Sequence, residues 1–403
     1  MRYLLISLVV LLAACQPRES RSDEESMKSS STDTVEYGGW SSPVTAESIV
    51  QGSRGLSTLA VDKGYVYWVE SRPLEGGRST IMRKKEGQSD TAAEELLAAP
   101  WNVRTRVHEY GGRSMLVSNG VVWFTHFTDQ RIYRMVIGEA PVAITPEDKI
   151  RFGACELDAN RDRLICIRED HRSVGEPQNT LVAVPANGMS EGEVLFEGPS
   201  FVSAPSLSLD GKSIAFIAWN HPNMPWDNTT LWSANFDTDG KLEGLTEHNP
   251  DTGESAIDPQ WDVEGNLYVL SDRNNWWSLY QVSGTEFTLL SPQPEKSEIG
   301  GPAWQVGKHY YRIRQDGSIL AQVVKGAIGQ LYLLDRKSNT MHVLTPESAA
   351  IEDFVESDSA LYVIQDPQTR PGELIALSDL SGDSPKVNIV TSSSDSALSP
   401  DWV

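Results

Sequence analysis

The sequence predicts an all-β fold, a seven-bladed β-propeller of four-stranded blades, and three observations carry that prediction. Apolar residues come in short runs between turn signals, with no long helical periodicity in the 403 residues. One central strand recurs seven times, at residues 65–69, 121–124, 163–167, 213–217, 266–270, 309–313 and 360–364. Its second residues, Val66, Val122, Leu164, Ile214, Leu267, Tyr310 and Leu361, follow one another at steps of 56, 42, 50, 53, 43 and 51. Steps of this size fit one four-stranded blade each, and seven blades close around a central channel. A further strand follows each anchor, seen in Ile132-Tyr133, Leu231-Trp232, Leu279-Tyr280 and Leu331-Tyr332, with turns such as Asp210-Gly211 and Asp316-Gly317 between. A leading Pro-containing strand is expected at Pro205-Ser206-Leu207, Pro259-Gln260-Trp261 and Pro302-Ala303-Trp304. No blade buries its own faces, so the ring is expected to fold as one domain over residues 37–403. A pair of β-sandwiches is the alternative, but it leaves the sevenfold recurrence without a cause.

Residues 1–14 read as a lipoprotein signal peptide. Arg2 supplies the positive start, and Leu4 to Ala14 form an apolar run too short to span a bilayer as a helix. The run ends in Leu12-Ala13-Ala14-Cys15, which matches the bacterial lipobox: small residues fit the signal peptidase and the Cys15 thiol accepts a lipid. An ordinary secretory signal with an incidental cysteine is the plainer reading. Two or more acyl chains anchor a protein stably, and Gln16 rather than Asp after the cysteine favours the periplasmic face of the outer membrane in a bacterial envelope. Residues 15–36, rich in Ser and charge, have little apolar surface to bury and are expected to be a disordered tether.

A net charge of −22 argues against nucleic acid as a partner, because a polyanion is bound by clustered Lys and Arg. Two cysteines remain besides Cys15. Cys155 and Cys166 stand opposite each other across an expected hairpin turn at Asn160-Arg161. A disulfide in an oxidising periplasm and a pair of buried thiols both fit that placement. The seven histidines show no zinc spacing and there is no glycine-rich phosphate loop, so neither metal nor cofactor is expected. Gly188-Met189-Ser190-Glu191-Gly192 matches G-x-S-x-G literally, but a nucleophile elbow needs a strand before it and a helix after it. Asn187-Gly188 reads instead as a turn and residues 193–196 as a returning strand, so Ser190 is not expected to be catalytic. Asp237-Thr238-Asp239-Gly240 lacks the later ligands of a calcium loop and reads as a polar turn.

Two segments are richer than a blade turn requires. Residues 102–112 place Arg104, Arg106, His108, Glu109 and Tyr110 before Gly111-Gly112. Residues 219–227 are an aromatic, Pro-rich excursion with His221, Trp226 and Asp227. Structural corners and ligand-facing loops both fit, and loops carry function more often than strands do. With Tyr37-Gly38-Gly39-Trp40-Ser41-Ser42-Pro43, residues 67–78 and Pro177-Gln178-Asn179-Thr180-Leu181, these segments resemble the propeller of prolyl-oligopeptidase-family serine peptidases, of the bacterial acylaminoacyl-peptidase and dipeptidyl-aminopeptidase-like type. The resemblance covers nearly everything after the tether. It implies a propeller that caps an active site, filters substrates and lends side chains to the cavity. Candidate substrate-binding residues are then Arg104, Arg106, His108, Glu109, Tyr110, His221, Trp226 and Asp227. An α/β-hydrolase domain with the catalytic triad is not found in this sequence. The expectation is therefore a lipid-anchored, non-catalytic half of such a peptidase, with a peptide or a hydrolase domain as partner. An independent envelope propeller that binds or scaffolds, with no link to proteolysis, is the alternative.

Overall fold

The computed structural model describes Gly39 and residues 44–394, apart from 89–90, 251, 293–294 and 381–384. The signal segment, Cys15, the tether and most of residues 37–43 lie outside the described residues. Within them, seven antiparallel sheets succeed one another along the chain, six of four strands and one of five. The blades occupy residues 55–95, 115–143, 150–196, 201–247, 256–289, 298–343 and 348–392. In each, consecutive strands meander outward. First strands of neighbouring blades pack on one another around the axis, and fourth strands such as Leu242–Glu247 and Thr340–Val343 face solvent.

The second strands explain why the sequence shows continuous apolar runs rather than strict alternation. Tyr65–Arg72 is buried on both faces because a blade lies on either side of it. Trp68, Phe216 and Tyr268 are sealed from solvent in this layer. The apolar clusters sit between blades rather than within them. Val66, Trp68, Tyr362 and Leu374 join blade one to blade seven, Tyr67 and Phe124 join one to two, and Ile165 and Phe216 join three to four. Truncating one such side chain costs about 3–5 kcal/mol, because the rigid neighbours cannot collapse into the space.

Six of the seven anchor segments form second strands. The sixth does not. In blade six the first strand is split into Glu298–Ile299 and Tyr311–Ile313, both paired to the true second strand, Ile319–Lys325. Residues 300–310 leave the blade between the two halves, and Pro302-Ala303-Trp304, expected as a strand, belongs to this excursion. Tyr310-Tyr311-Arg312-Ile313 carries the anchor pattern because that half-strand also packs on both sides.

An antiparallel meander sorts the connections onto two faces. First strands start, and fourth strands end, on one face. All blade-to-blade linkers and all loops between second and third strands therefore lie there; we call it the linker face. The opposite face carries tight turns such as Asn119-Gly120, whose paired positive φ values of 53° and 79° suit a two-residue hairpin. First strands also share a bulge. Thr58, Ala154, Ala204 and Asp258 have positive φ in blades one, three, four and five, each beside a register shift. Such bulges re-aim side chains, here toward the axis. Cys155 and Cys166 are disulfide-bonded across the first two strands of blade three, beside the Ala154 bulge.

Among the described residues the ring closes without a shared strand. Besides the apolar contact of blades one and seven, a clasp forms on the linker face: Arg54 donates its amide to the Ser393 carbonyl and its Nε to the Ser392 carbonyl, both at 2.8 Å.

Candidate functional site

Both segments singled out in the sequence reach the linker face, because one is the linker from blade one to blade two and the other joins the second and third strands of blade four. The first is tied down by backbone bonds at 103 and 104 to Ser79 and Thr125. It then turns sharply. His108 and Glu109 take φ of 53° and 63°, a costly pair for residues other than glycine.

The turn delivers Gly111-Gly112-Arg113 to the excursion from blade six. Val306 donates its amide to the Gly111 carbonyl at 2.9 Å, and Arg113 donates its own to Val306 at 2.9 Å. The Arg113 carbonyl accepts from Ala154 of blade three, and Arg113 Nε donates to the Gly307 carbonyl at 3.1 Å. Blade six stands three places from blades two and three by the shorter way round the ring and four by the longer. The pairing therefore runs across the axis, a strap over the channel. Only glycine fits at 112, where φ is 146° and a Cβ would land on the Val306 carbonyl, 2.6 Å from its nitrogen.

Beneath the strap the channel is lined with charge. Asp258, on the blade-five bulge, accepts from Tyr310 N at 2.7 Å, His309 Nδ1 at 2.8 Å and Gln260 Nε2 at 3.0 Å, fixing the point where the excursion re-enters blade six. Arg113 pairs with Asp353 at 3.4 Å, and Lys308 with Glu352 at 3.3 Å. Burial pushes the Glu156 carboxyl up and pulls the Arg312 guanidinium down, although neither residue is wholly sealed from solvent. Burial, then the Arg312 charge, depress the His309 imidazole to about 4. An unfolded histidine titrates near 6.5, so between about pH 6.5 and 4 the unfolded chain binds the extra proton. Stability supplied by neutral His309 is therefore whole above pH 6.5 and lost as pH falls toward 4, by up to about 3 kcal/mol. Urea midpoints at pH 7 and pH 4.5 should show this drop, and it should shrink in His309→Gln. An equal drop in that variant would refute the assignment.

The predicted residues divide by role. His108 is a brace: it stands edge-on against the stacked Phe201 and Trp219 rings, at 5.3 and 5.6 Å, and its Nε2 donates to Asn179 at 3.1 Å, with burial lowering its pKa. Glu109 is exposed but engaged, accepting from Arg151 at 2.6 Å and from Arg106 at 3.4 Å; the Arg151 bond holds its carboxyl below the usual range. Arg151 continues to Glu169, which also takes His171 and the His108 amide. His221 packs edge-on against Phe201 at 4.9 Å, and Asp227 closes its own turn on the Met224 amide. Tyr110 and Trp226, from the two separate segments, meet on a third residue. Trp304 of the excursion lies 5.2 Å from the Tyr110 ring and 4.3 Å from that of Trp226. Tyr110 and Trp304 stay 56% and 46% exposed. Arg104 stacks on Phe127 and, with Tyr110, lines a cavity of about 200 Å³ beside the strap. Sequence reasoning missed Trp304, Arg151 and the strap. The signal was Gly300-Gly301-Pro302, an interruption that no first strand should contain.

Catalytic geometry is not assembled at Ser190. It lies between the third and fourth strands of blade three with no helix after it, and its Oγ accepts from the Gly192 amide. His248 accepts from Ser233 at 2.8 Å, but its Nδ1 is held by the Gly284 carbonyl rather than by a carboxylate.

No protein-family model and no curated protein matches the chain. Solved structures do. A puromycin-hydrolyzing peptidase from Mycobacterium tuberculosis superposes with a TM-score of 0.81 and 29% identity, over 90% of this chain and 57% of that one. This propeller resembles the propeller portions of prolyl-oligopeptidase-family peptidases. A puromycin hydrolase gives a TM-score of 0.79 at 26% identity, over 90% of this chain and 56% of that one. Prolyl oligopeptidase B from Galerina marginata, 12% identical with a TM-score of 0.64 over 88% and 53%, shares the fold. This propeller thus spans somewhat over half the length of the peptidases it resembles.

Proposed function

We propose that this chain is the substrate-gating, peptide-binding propeller of a serine peptidase of the prolyl-oligopeptidase family. The hydrolase unit, wherever it is encoded, would sit on the linker face. The likeness to the puromycin-hydrolyzing peptidase over 90% of the chain carries this reading. The linker face suits the role because it gathers the strap, the aromatic trio and both described ends of the chain. A closed strap leaves a solid floor beneath a seated hydrolase. Substrates of the aminoacyl-amide kind, as puromycin is for those two proteins, fit this reading. So does carriage in the bacterial envelope by a lipid on Cys15, with the propeller on the periplasmic side of the outer membrane.

Acyl transfer needs a nucleophile within hydrogen-bond reach of a base and donors placed for the oxyanion. The 403-residue chain, purified alone, is therefore expected to leave aminoacyl and N-acylaminoacyl chromogenic amides intact and to take no fluorophosphonate label. Turnover, or labelling that disappears in Ser190→Ala, would overturn the non-catalytic reading.

A further inference from the structure

We propose that the linker face holds a binding site for a peptide's C-terminal aromatic residue, the free carboxylate taken by Arg104 and the ring by Trp304, Tyr110 and Trp226. The inference rests on the peptide-binding reading above and names the ligand class of that surface. Its first support is a charge count made locally. The chain carries a net −22, yet cations gather around the strap. Arg106, Arg113 and Lys308 each meet a carboxylate there, Glu109, Asp353 and Glu352. Arg104 makes no ion pair and no side-chain hydrogen bond among the described residues; it rests on the Phe127 ring at 5.0 Å. Stacking fixes the plane of a guanidinium and leaves its N–H edge open, the arrangement that receives a carboxylate through two parallel bonds.

Its second support is the aromatic trio. Trp304 and Tyr110 are about half exposed, yet neither is loose. Each stands on one half of the strap, clamped by the Gly111–Val306 and Arg113–Val306 bonds, and Trp226 closes the third side. Keeping two large rings in water gains the fold nothing, so a rigid, exposed aromatic ledge reads as a recognition surface. Tyr110 belongs both to the ledge and to the wall of the Arg104 cavity. One ligand can therefore touch both. The cavity of about 200 Å³ has room for a terminal carboxylate and its α-carbon, not for a folded chain. Glu352 and Asp353, which also line it, are already neutralised by their cations, so their repulsion of an incoming carboxylate is blunted.

The test uses the chain itself, titrated in a calorimeter with N-acetyl-L-phenylalanine and with its amide, N-acetyl-L-phenylalaninamide, which differ only in the terminal charge. The acid is expected to bind at least about tenfold more tightly, the factor a charge-assisted pair supplies. Arg104→Met keeps the stem on Phe127 and should erase the preference while leaving the amide's affinity. Trp304→Ala should weaken both ligands together, and the melting temperatures should confirm that each variant is folded. Equal binding of acid and amide, a preference that survives in Arg104→Met, or no binding of either, would overturn the proposal. None of these results depends on a hydrolase, so the gating reading stands or falls separately on labelling and turnover.

Discussion

Asp258→Ala is expected to lower stability by about 3–5 kcal/mol, the range for removing one partner of a buried charged network. Asp258 is 3% exposed and receives three donors. Alanine leaves the Tyr310 amide without its acceptor, and leaves His309 beside Arg312 without the carboxylate that accepts from its ring. Alanine is also poorly suited to the φ of 51° at this bulge, whereas asparagine tolerates it. Asp258→Asn should therefore recover much of the loss. Urea unfolding of the two variants reads this directly, and a loss under 1 kcal/mol in the alanine variant would show that water replaces the carboxylate. The effect should reach the binding surface. Asp258 fixes residues 309–310, from which the excursion bearing Trp304 departs.

Gly112→Ala comes next, with an expected cost of about 2–4 kcal/mol, combining backbone strain with two strained or broken hydrogen bonds. The new Cβ would meet Val306 backbone atoms, which cannot yield as a flexible side chain does. Gly326→Ala is the control: it also has positive φ, 64°, but nothing lies within 4 Å of its added Cβ, so only the strain of about 1 kcal/mol remains. The difference between the two isolates the strap. Hydrogen exchange should speed up at the Val306 and Arg113 amides in the first variant and not in the second. Equal melting points for both variants would mean the strap carries no stability.

What the sequence made legible follows from where the information lies. Blades one to five and blade seven could be counted because their second strands are local, doubly buried and bounded by turns, so composition alone marks them. Blade six was misread for a related reason: Tyr310 and Tyr311 are buried like the anchors of the other blades, and burial says nothing about which strand of a blade a segment forms. The rich segments at 102–112 and 219–227 were found, yet the roles within them were not. His108 and Glu109 stand out by chemistry, but their partners Asn179, Phe201, Trp219 and Arg151 lie 42 to 111 residues away in sequence. The strap is further out of reach, since Gly112 meets Val306 only because a closed ring brings blade six opposite blade two.

The way the ring shuts sets its mechanical character. Because no strand is exchanged between blades one and seven among the described residues, that junction relies on side-chain packing, on hydrogen bonds such as that from the Leu59 amide to Asp353, and on the short clasp of residues 53–54 with 392–394. Tension applied to the two ends of the described chain would act first on that seam. Once the clasp yields, each terminal blade presents a bare flank and can be peeled away without breaking a continuous ladder elsewhere. Under load the domain would lengthen in blade-sized steps rather than in one rupture, and its last resistance would be the strap, which ties blade six to blades two and three after the rim has opened.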